Sequence, residues 1–501
     1  MRVAQLIGVA VVGCSLTTTA MAQDCVKVAG TDWTLEAQSV DPIINSSFGD
    51  VLRITTLYEK LVDLDNAYQP IPVLAESWSS NDAGTVWTFN LRQGVKFHDG
   101  SVLTAADVVY SILRAADPET GSQGASVLEF LKNAQIEAVD DGTLRITLDA
   151  PQVELPILIS TKYTAVVPAG STRESLQKNP IGTGPFKIEG GFEQGGQSNT
   201  LVANPDYWQP GLPKAPCIEI TGITDSVARI SALVSGEIDL LVPIDPTAKP
   251  TLDEYDNIRI LASPGGSVMT LSMWADTPPF DDVRVRQAMK LVVDREALVE
   301  IAILNAGSPG NDNPVPPTSP DAYRSDVIAR DIDRAKELLA AAGHPDGLEV
   351  DLYTSEALPG MYAIAQVYSQ MAMDAGITVN VLKTPSESYW DDVWLKRSFI
   401  TSSWGGRPAG EGLSIAYLCS TNMPETHWCN EDFDSLIAAA NSTADADERR
   451  KLYQAAQKLL AEDGGVIVPA FLASLAAFRS ECSGYEPNNN LNNQDWSQLT
   501  C

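Results

Sequence analysis

Hydrophobic and polar positions along this chain follow two periods that take turns. Segments 86–91 (VWTFNL) and 144–150 (LRITLDA) alternate apolar and polar residues, the pattern of strands with one buried face. Segment 103–117 (LTAADVVYSILRAAD) predicts a helix: Thr104 stands three residues before Asp107, as in a capping box, and Asp117-Pro118 ends the run. Within 283–303, Val285, Ala288, Met289, Val292 and Val293 recur at i, i+3, i+4, i+7 and i+8 and make one apolar helical face. Ala335, Leu338, Leu339 and Ala342 form another, which stops at Gly343. Leu452, Ala455, Ala456, Leu459 and Leu460 repeat the pattern ahead of Gly464-Gly465. Segment 307–320 (GSPGNDNPVPPTSP) is a proline-rich loop, and no internal repeat is detected. Helices and strands interspersed in this way predict a mixed α/β protein with several sheets.

Composition adds compartment and excludes some partners. With 501 residues, 44% of them hydrophobic, the chain can bury large cores, and its length suggests about three domains. The formal charge of −31 (34 basic against 65 acidic residues) argues against nucleic acid and against anionic membrane faces. The start has one basic residue, an apolar run from Leu6, and Ala20-Met21-Ala22 before Gln23, the layout of a cleavable signal peptide over 1–22. A competing reading takes Val11-Val12-Gly13-Cys14 as a lipoprotein box with Cys14 lipidated. No later stretch is apolar over the roughly 18 residues that a membrane span requires. A soluble, exported protein is expected.

Besides Cys14 there are six cysteines: Cys25, Cys217, Cys419, Cys429, Cys482 and Cys501. An even number in an oxidising compartment suggests three disulfides, with about 15 connectivities open. Cys419 and Cys429 would close a short loop, Cys482 and Cys501 would pin the C-terminal tail, and Cys25 with Cys217 is then left. A metal site is a poor alternative, because there is no C-x-x-C and the one nearby histidine is His427.

Catalytic signals are sparse. G-x-S-x-G, H-E-x-x-H and the P-loop pattern are absent, and three scattered histidines (His98, His344, His427) supply few bases of neutral pKa. Ser175-Leu176-Gln177-Lys178 matches the S-x-x-K of penicillin-recognising serine enzymes, but their companion S-D-N and K-T-G elements are missing. A binding protein without cofactor, rather than a serine hydrolase, is the leading class.

Longer segments then point to one family. Segment 74–114 (LAESWSSNDAGTVWTFNLRQGVKFHDGSVLTAADVVYSILR) resembles the signature block of the family 5 solute-binding proteins of ABC importers. Matches follow in the family's order at 179–188 (NPIGTGPFKI), 204–208 (NPDYW), 235–240 (SGEIDL), 279–296 and 334–347, and again at 430–437 and 461–469. The resemblance implies a two-lobed periplasmic receptor of the Venus-flytrap type, class II or cluster C, with an extra subdomain in lobe I. It implies lobe I at 23–265 with its subdomain about 50–178, lobe II at 266–474, and a C-terminal return to lobe I at 475–501. It also implies a small-molecule ligand, a monomer, and partnership with ABC permease and ATPase subunits. Dipeptide-binding relatives tie their N-terminus to the strand of Cys217 and bridge the loop of Cys419 and Cys429. Most matched motifs, including Gly182-Thr183-Gly184-Pro185 and Phe97 to Gly100, are read as scaffold, and Arg284 and Arg286 as structural ion pairs.

The cleft between the lobes is the expected site. In dipeptide-binding members the segment similar to Ser402–Pro408 (SSWGGRP) carries an aspartate for the ligand's ammonium, and that aspartate aligns here with Arg407. The reversed charge predicts a ligand with an anionic group, because a guanidinium repels an ammonium and pairs with carboxylate, phosphate or sulfate. Two other roles for Arg407 are a pair with Glu411 that fixes the loop, and a solvated side chain. Trp404, Gly405 and Gly406 belong to the same loop. Trp274, Tyr389, Trp390 and Phe48 are candidate cleft aromatics, and Met361 and Tyr362 lie where dipeptide receptors place a carboxylate-binding arginine. Segment 355–370 contains no arginine, so both charge anchors of a zwitterionic peptide are altered. A peptide ligand oriented by backbone hydrogen bonds is the alternative within the class. His427 is the one candidate for nickel, in a loop that a disulfide would hold away from the cleft.

Overall fold

The computed structural model describes residues 25–501 apart from 31–37, 45–47, 197, 224, 324–325, 387 and 491–492. The expected signal peptide and Cys14 lie outside the described residues. A seven-stranded sheet takes the order Ile258–Ala262, Leu475–Arg479, Leu240–Leu241, Val26–Gly30, Cys217–Gly222, Ser198–Ala203 and Phe186–Ile188. A six-stranded sheet takes the order Gly307–Pro309, Val466–Leu472, Ser267–Met273, Phe399–Trp404, Leu348–Thr354 and Ile377–Lys383. Two lobes therefore stand on two sheets, and chain from both ends of the sequence builds the first. A four-stranded antiparallel sheet (Ala75–Ser80, Val86–Leu91, Thr143–Thr147, Gln135–Asp140) forms an extra layer of lobe I.

Local sequence explains the elements. In Val86–Leu91 the residues Trp87, Phe89 and Leu91 are buried while Asn90 is exposed, as the alternation requires. The helix Ala105–Ala116 starts where the Asp107 carboxylate accepts from the Thr104 N–H (2.9 Å) and hydroxyl (2.8 Å). The apolar face within 283–303 is divided between two helices, Val283–Leu291 and Arg295–Ile303. Asp294 makes the break, because its carboxylate caps the second helix by accepting from the Ala297 N–H at 3.0 Å. Val466–Leu472 sits inside its sheet despite Pro469. That proline offers no N–H, and the pairing with Ser267–Met273 slips between Met269 and Leu271 to accommodate it.

Each lobe has its own apolar cores. Val26, Val28, Leu52, Ile54, Leu57 and Tyr58 pack with Ile218 and Leu240 on the seven-stranded sheet. Ile43 and residues from Leu61 to Val166, among them Trp87, Phe89 and Ile112, pack on the four-stranded sheet. The six-stranded sheet is covered on one side by Val285, Met289, Leu298, Ile364 and Tyr368, and on the other by Leu413, Phe433, Tyr453 and Leu460. The chain passes from lobe I to lobe II after Ala262 and returns after Leu472. These two connections run together: the Ser263 N–H donates to the Ser474 carbonyl and the Ser474 N–H to Ser263 Oγ, both at 2.9 Å. Two short adjacent crossovers between rigid sheets are the makings of a hinge.

Disulfides join Cys25 to Cys217, Cys419 to Cys429, and Cys482 to Cys501. Among the described residues, no helix is long and apolar enough to cross a membrane. Of the scaffold motifs, Gly182 abuts the Leu57 carbonyl and His98 Nε2 lies 3.1 Å from the Gly184 carbonyl. Arg286 ion-pairs with Asp463 at 3.1 Å, and Arg284 with Asp282 at 2.5 Å.

Candidate functional site

Strand register places the loop of Arg407. Phe399–Trp404 runs antiparallel to Ser267–Met273, with Trp404 opposite Val268 and Phe399 opposite Met273. Since Ser267 follows the first crossover, the strand delivers Trp404 to the end of lobe II that faces lobe I. Residues 405–408 then turn into the helix Ala409–Tyr417. Arg407 Nε donates to Glu411 Oε1 at 2.8 Å, and Nη1 donates to the Gly405 carbonyl at 3.0 Å. Its guanidinium carbon stands 5.4 Å from the centre of the Trp404 ring, and the side chain is 27% exposed. The pair with Glu411 is one turn of helix apart, so loop and helix hold the cation from one side.

Lobe I supplies the facing wall. Tyr68 occupies the turn between Val62–Leu64 and Pro70–Pro72 with φ of 61°, in the left-handed region. Asp65 ties this turn by accepting from the Ala67 and Gln69 N–H groups at 2.8 and 2.9 Å. Burial pushes the Tyr68 hydroxyl up, and the positive charge of Arg407 acts against that rise. Tyr163 is raised by burial and opposed by Arg407 in the same way. Gly406, the residue before Arg407, abuts the Tyr68 hydroxyl, so this loop lies against lobe I. The Tyr68 hydroxyl and the Trp404 indole N–H are both buried and lack hydrogen-bond partners among the described residues.

The other sequence candidates separate. Tyr389 is fully buried and donates to the Thr401 carbonyl at 2.5 Å, so it belongs to the core of lobe II. Trp390 is 39% exposed and packs edge-on against both Tyr389 and Trp394, and Trp394 leans on Trp404 with ring centres 6.3 Å apart. Trp390, Trp394 and Trp404 form a continuous run of rings leading to Arg407. Met361 is buried at the start of the helix Met361–Met373, while the Tyr362 ring takes the Lys383 ammonium at 4.6 Å. Trp274 lies past Met273, at the opposite end of its strand from the register position of Trp404. There it stacks on His427 with ring centres 4.0 Å apart, and His427 Nδ1 pairs with Asp276 at 3.0 Å. The physical reason is simple: a seven-residue strand carries its two ends to opposite poles of the lobe. Phe48 opens the helix Phe48–Leu57.

Sequence reasoning missed Tyr68, Tyr163, Trp394 and Glu154. Trp394 donates to Glu425 Oε1 at 2.6 Å, and the same carboxylate accepts from Ser402 Oγ at 2.7 Å. Its tryptophan spacing in YWDDVW was the available signal. Glu154, in the segment after the four-stranded sheet, crosses to lobe II. It accepts from the Tyr453 hydroxyl at 2.7 Å and ion-pairs with Arg449 at 3.2 Å, while the Val153 N–H donates to the Asn441 carbonyl at 3.3 Å. The lobes are therefore in contact at Glu154, which lies against Gly410, as well as at Tyr68.

A hinged pair of lobes with a polar and aromatic cleft is a receptor architecture, and comparison with known proteins decides which. Residues 69–423 match the family described as bacterial extracellular solute-binding proteins, family 5 middle. The chain belongs to this family. It is similar to the glutathione-binding protein GsiB of Escherichia coli O1:K1 / APEC, with 30% identity over 421 residues and 81% of each chain covered. The GsiB of Escherichia coli strain K12 is 29% identical over 455 residues, covering 88% of this chain and 87% of that one. Among solved structures, the ABC transporter substrate-binding protein CtaP of Listeria monocytogenes superposes with a TM-score of 0.81 at 22% identity, over 94% of this chain and 99% of that one. HbpA2 of Haemophilus parasuis gives 0.79 at 22% identity, over 95% and 99%. The protein is thus a two-lobed family 5 solute-binding protein of ABC importers, and the family's business is binding for transport. The S-x-x-K serine agrees: Ser175 Oγ accepts from the Thr172 N–H at 2.8 Å and donates to its carbonyl at 2.9 Å, as a helix-capping group.

Proposed function

We propose that this solute-binding protein works in the periplasm after signal-peptide cleavage, as a monomer, and closes on a small organic ligand that carries an anionic group. It then delivers that ligand to the membrane permease of its importer. On this reading lobe I comprises 23–265 and 475–501 and lobe II 266–474. The subdomain of lobe I on this reading spans about 50–178. The observation that carries the ligand chemistry is the position of Arg407: tethered to Glu411 through Nε, it stands in the loop directly after Gly406, which abuts the Tyr68 hydroxyl of the opposite lobe. The pair with Glu411 does not cancel this role, because a guanidinium has five donors in a planar fork and Glu411 takes one of them. The surface of Trp390, Trp394 and Trp404 suits the apolar or planar remainder of such a ligand.

Glutathione is the natural first probe, since the GsiB relatives bear its name. It is a peptide with two carboxylates and one ammonium, so the anionic and the peptide readings meet in it. Calorimetric titration should show binding of glutathione or another acidic peptide, and weaker binding of the same compound with its carboxylates amidated. Arg407→Ala should cost about 1.5–3 kcal/mol with the acidic ligand and little with the amidated one. An equal loss for both, or less than a tenfold change for the acidic form, would sink the anion anchor.

A further inference from the structure

Gly405 and Gly406 are adjacent, yet the structure makes different demands on them. A methyl group at Gly405 would meet only Arg407 Nη1, at 3.9 Å. At Gly406 it would run into the Tyr68 hydroxyl and lie 2.5 Å from the Gly266 carbonyl oxygen. At Gly266, beside the first crossover, it would lie 2.6 Å from Tyr68 Oη, 2.9 Å from Asn489 Cβ and 3.0 Å from the Asn489 carbonyl oxygen. The atoms that a methyl at Gly266 would meet all belong to lobe I, as does the Tyr68 hydroxyl at Gly406. Two glycines of lobe II thus form a socket that fits the tip of one lobe I side chain.

The side chain is held ready for it. The left-handed backbone of Tyr68 is rare for an aromatic residue, and such conformations persist where surrounding structure fixes them. Asp65 fixes this one from within the turn. The tail fixes it from outside: the Asn489 N–H donates to Asn66 Oδ1 at 2.7 Å and Asn489 Nδ2 to the Asn66 carbonyl at 2.8 Å. Asn489 Nδ2 also reaches Thr318 Oγ1 of lobe II at 3.3 Å. The Tyr68 hydroxyl gains no hydrogen bond in the socket among the described residues, so the fit is one of shape.

We propose that Tyr68 is a positioning residue for closure: its tip seats between Gly266 and Gly406 only when the lobes come together, and its bearing on Gly406 sets Arg407 at the cleft. The inference concerns the approach of the lobes and stands whether or not the ligand is anionic.

The test needs no ligand. Val153→Cys with Asn441→Cys places a cysteine pair across the inter-lobe contact beside Glu154, where the Val153 N–H meets the Asn441 carbonyl at 3.3 Å, and its oxidation rate in the unliganded protein reports closed-state population. Gly266→Ala in this background should slow cross-linking by about tenfold, with an unchanged melting temperature. Adding Tyr68→Phe removes the atom nearest the new methyl and should recover part of the lost rate, the contacts with Asn489 remaining. Cross-linking of the Gly266→Ala protein at the parental rate overturns the proposal. So does failure of Tyr68→Phe to rescue it, or a parental pair that never cross-links.

Discussion

Glu59 is a carboxylate fully enclosed by donors. Its Oε1 accepts from the Tyr207 hydroxyl at 2.9 Å and from Trp208 Nε1 at 3.0 Å, and its Oε2 from Thr183 Oγ1 at 2.9 Å. Burial still wins and pushes the group from 4.5 up to about 7, with the Trp208, Thr183 and Tyr207 bonds pulling it back only in part. A proton is therefore held more tightly in the folded than in the unfolded chain. The resulting stabilisation is complete below pH 4.5 and is lost as pH rises toward 7. Relative to Glu59→Gln, the wild type should lose on the order of 3 kcal/mol across that window. Urea unfolding of both proteins at several pH values checks this. The variant carries a pH-independent cost from its misplaced amide, so the slope is the informative quantity, and parallel pH profiles would refute the assignment. The anchor proposed for Arg407 belongs to the same scale: on that proposal, one guanidinium where dipeptide-binding relatives carry an aspartate would invert which ligand terminus is tolerated.

At the scale of elements, the disulfides differ in what they constrain. Cys25–Cys217 joins residues 192 apart in sequence, against 10 for Cys419–Cys429 and 19 for Cys482–Cys501. Chain entropy alone then assigns roughly 5 kcal/mol to the first and roughly 3 to each of the others. Cys25→Ala with Cys217→Ala should lower the urea midpoint most, and an effect no larger than that of the Cys419–Cys429 double variant would contradict the ordering. These elements were largely legible beforehand. The strand Val86–Leu91 and the capped helix Ala105–Ala116 follow from period and cap, and the family resemblance rests on long ordered motifs. Other features depend on partners that a linear pattern does not display. The break at Asp294 needs knowledge that a cap outcompetes a continuing apolar face. Trp274 was separated from Trp404 by strand direction, which fixes the pole where each side chain lands. Tyr68 carries no sequence signal, because its role comes from two glycines about 200 and 340 residues away in the chain.

At the scale of the whole molecule, closure is the function, and contacts made only between lobes set its equilibrium. Glu154 is such a contact. Its carboxylate leaves lobe I to meet Tyr453 and Arg449 of lobe II, and burial raises it while Tyr453 and Arg449 act the other way. Opening about the crossovers would return Glu154 to water and part it from both partners while leaving each lobe's own core intact. Removing it should therefore leave each lobe folded and shift the open–closed balance. With Arg449 left facing an uncharged neighbour, Glu154→Gln should weaken ligand binding by about tenfold through the conformational step alone. Both acidic and amidated ligands should lose affinity equally, which separates this effect from that of Arg407→Ala. Small-angle scattering should show the unliganded variant no more compact than wild type and its ligand-driven compaction displaced to higher ligand concentration. If Glu154→Gln binds and compacts as wild type does, the contact is too weakly coupled to closure to govern it, and the socket at Gly266 and Gly406 carries the inter-lobe fit without it.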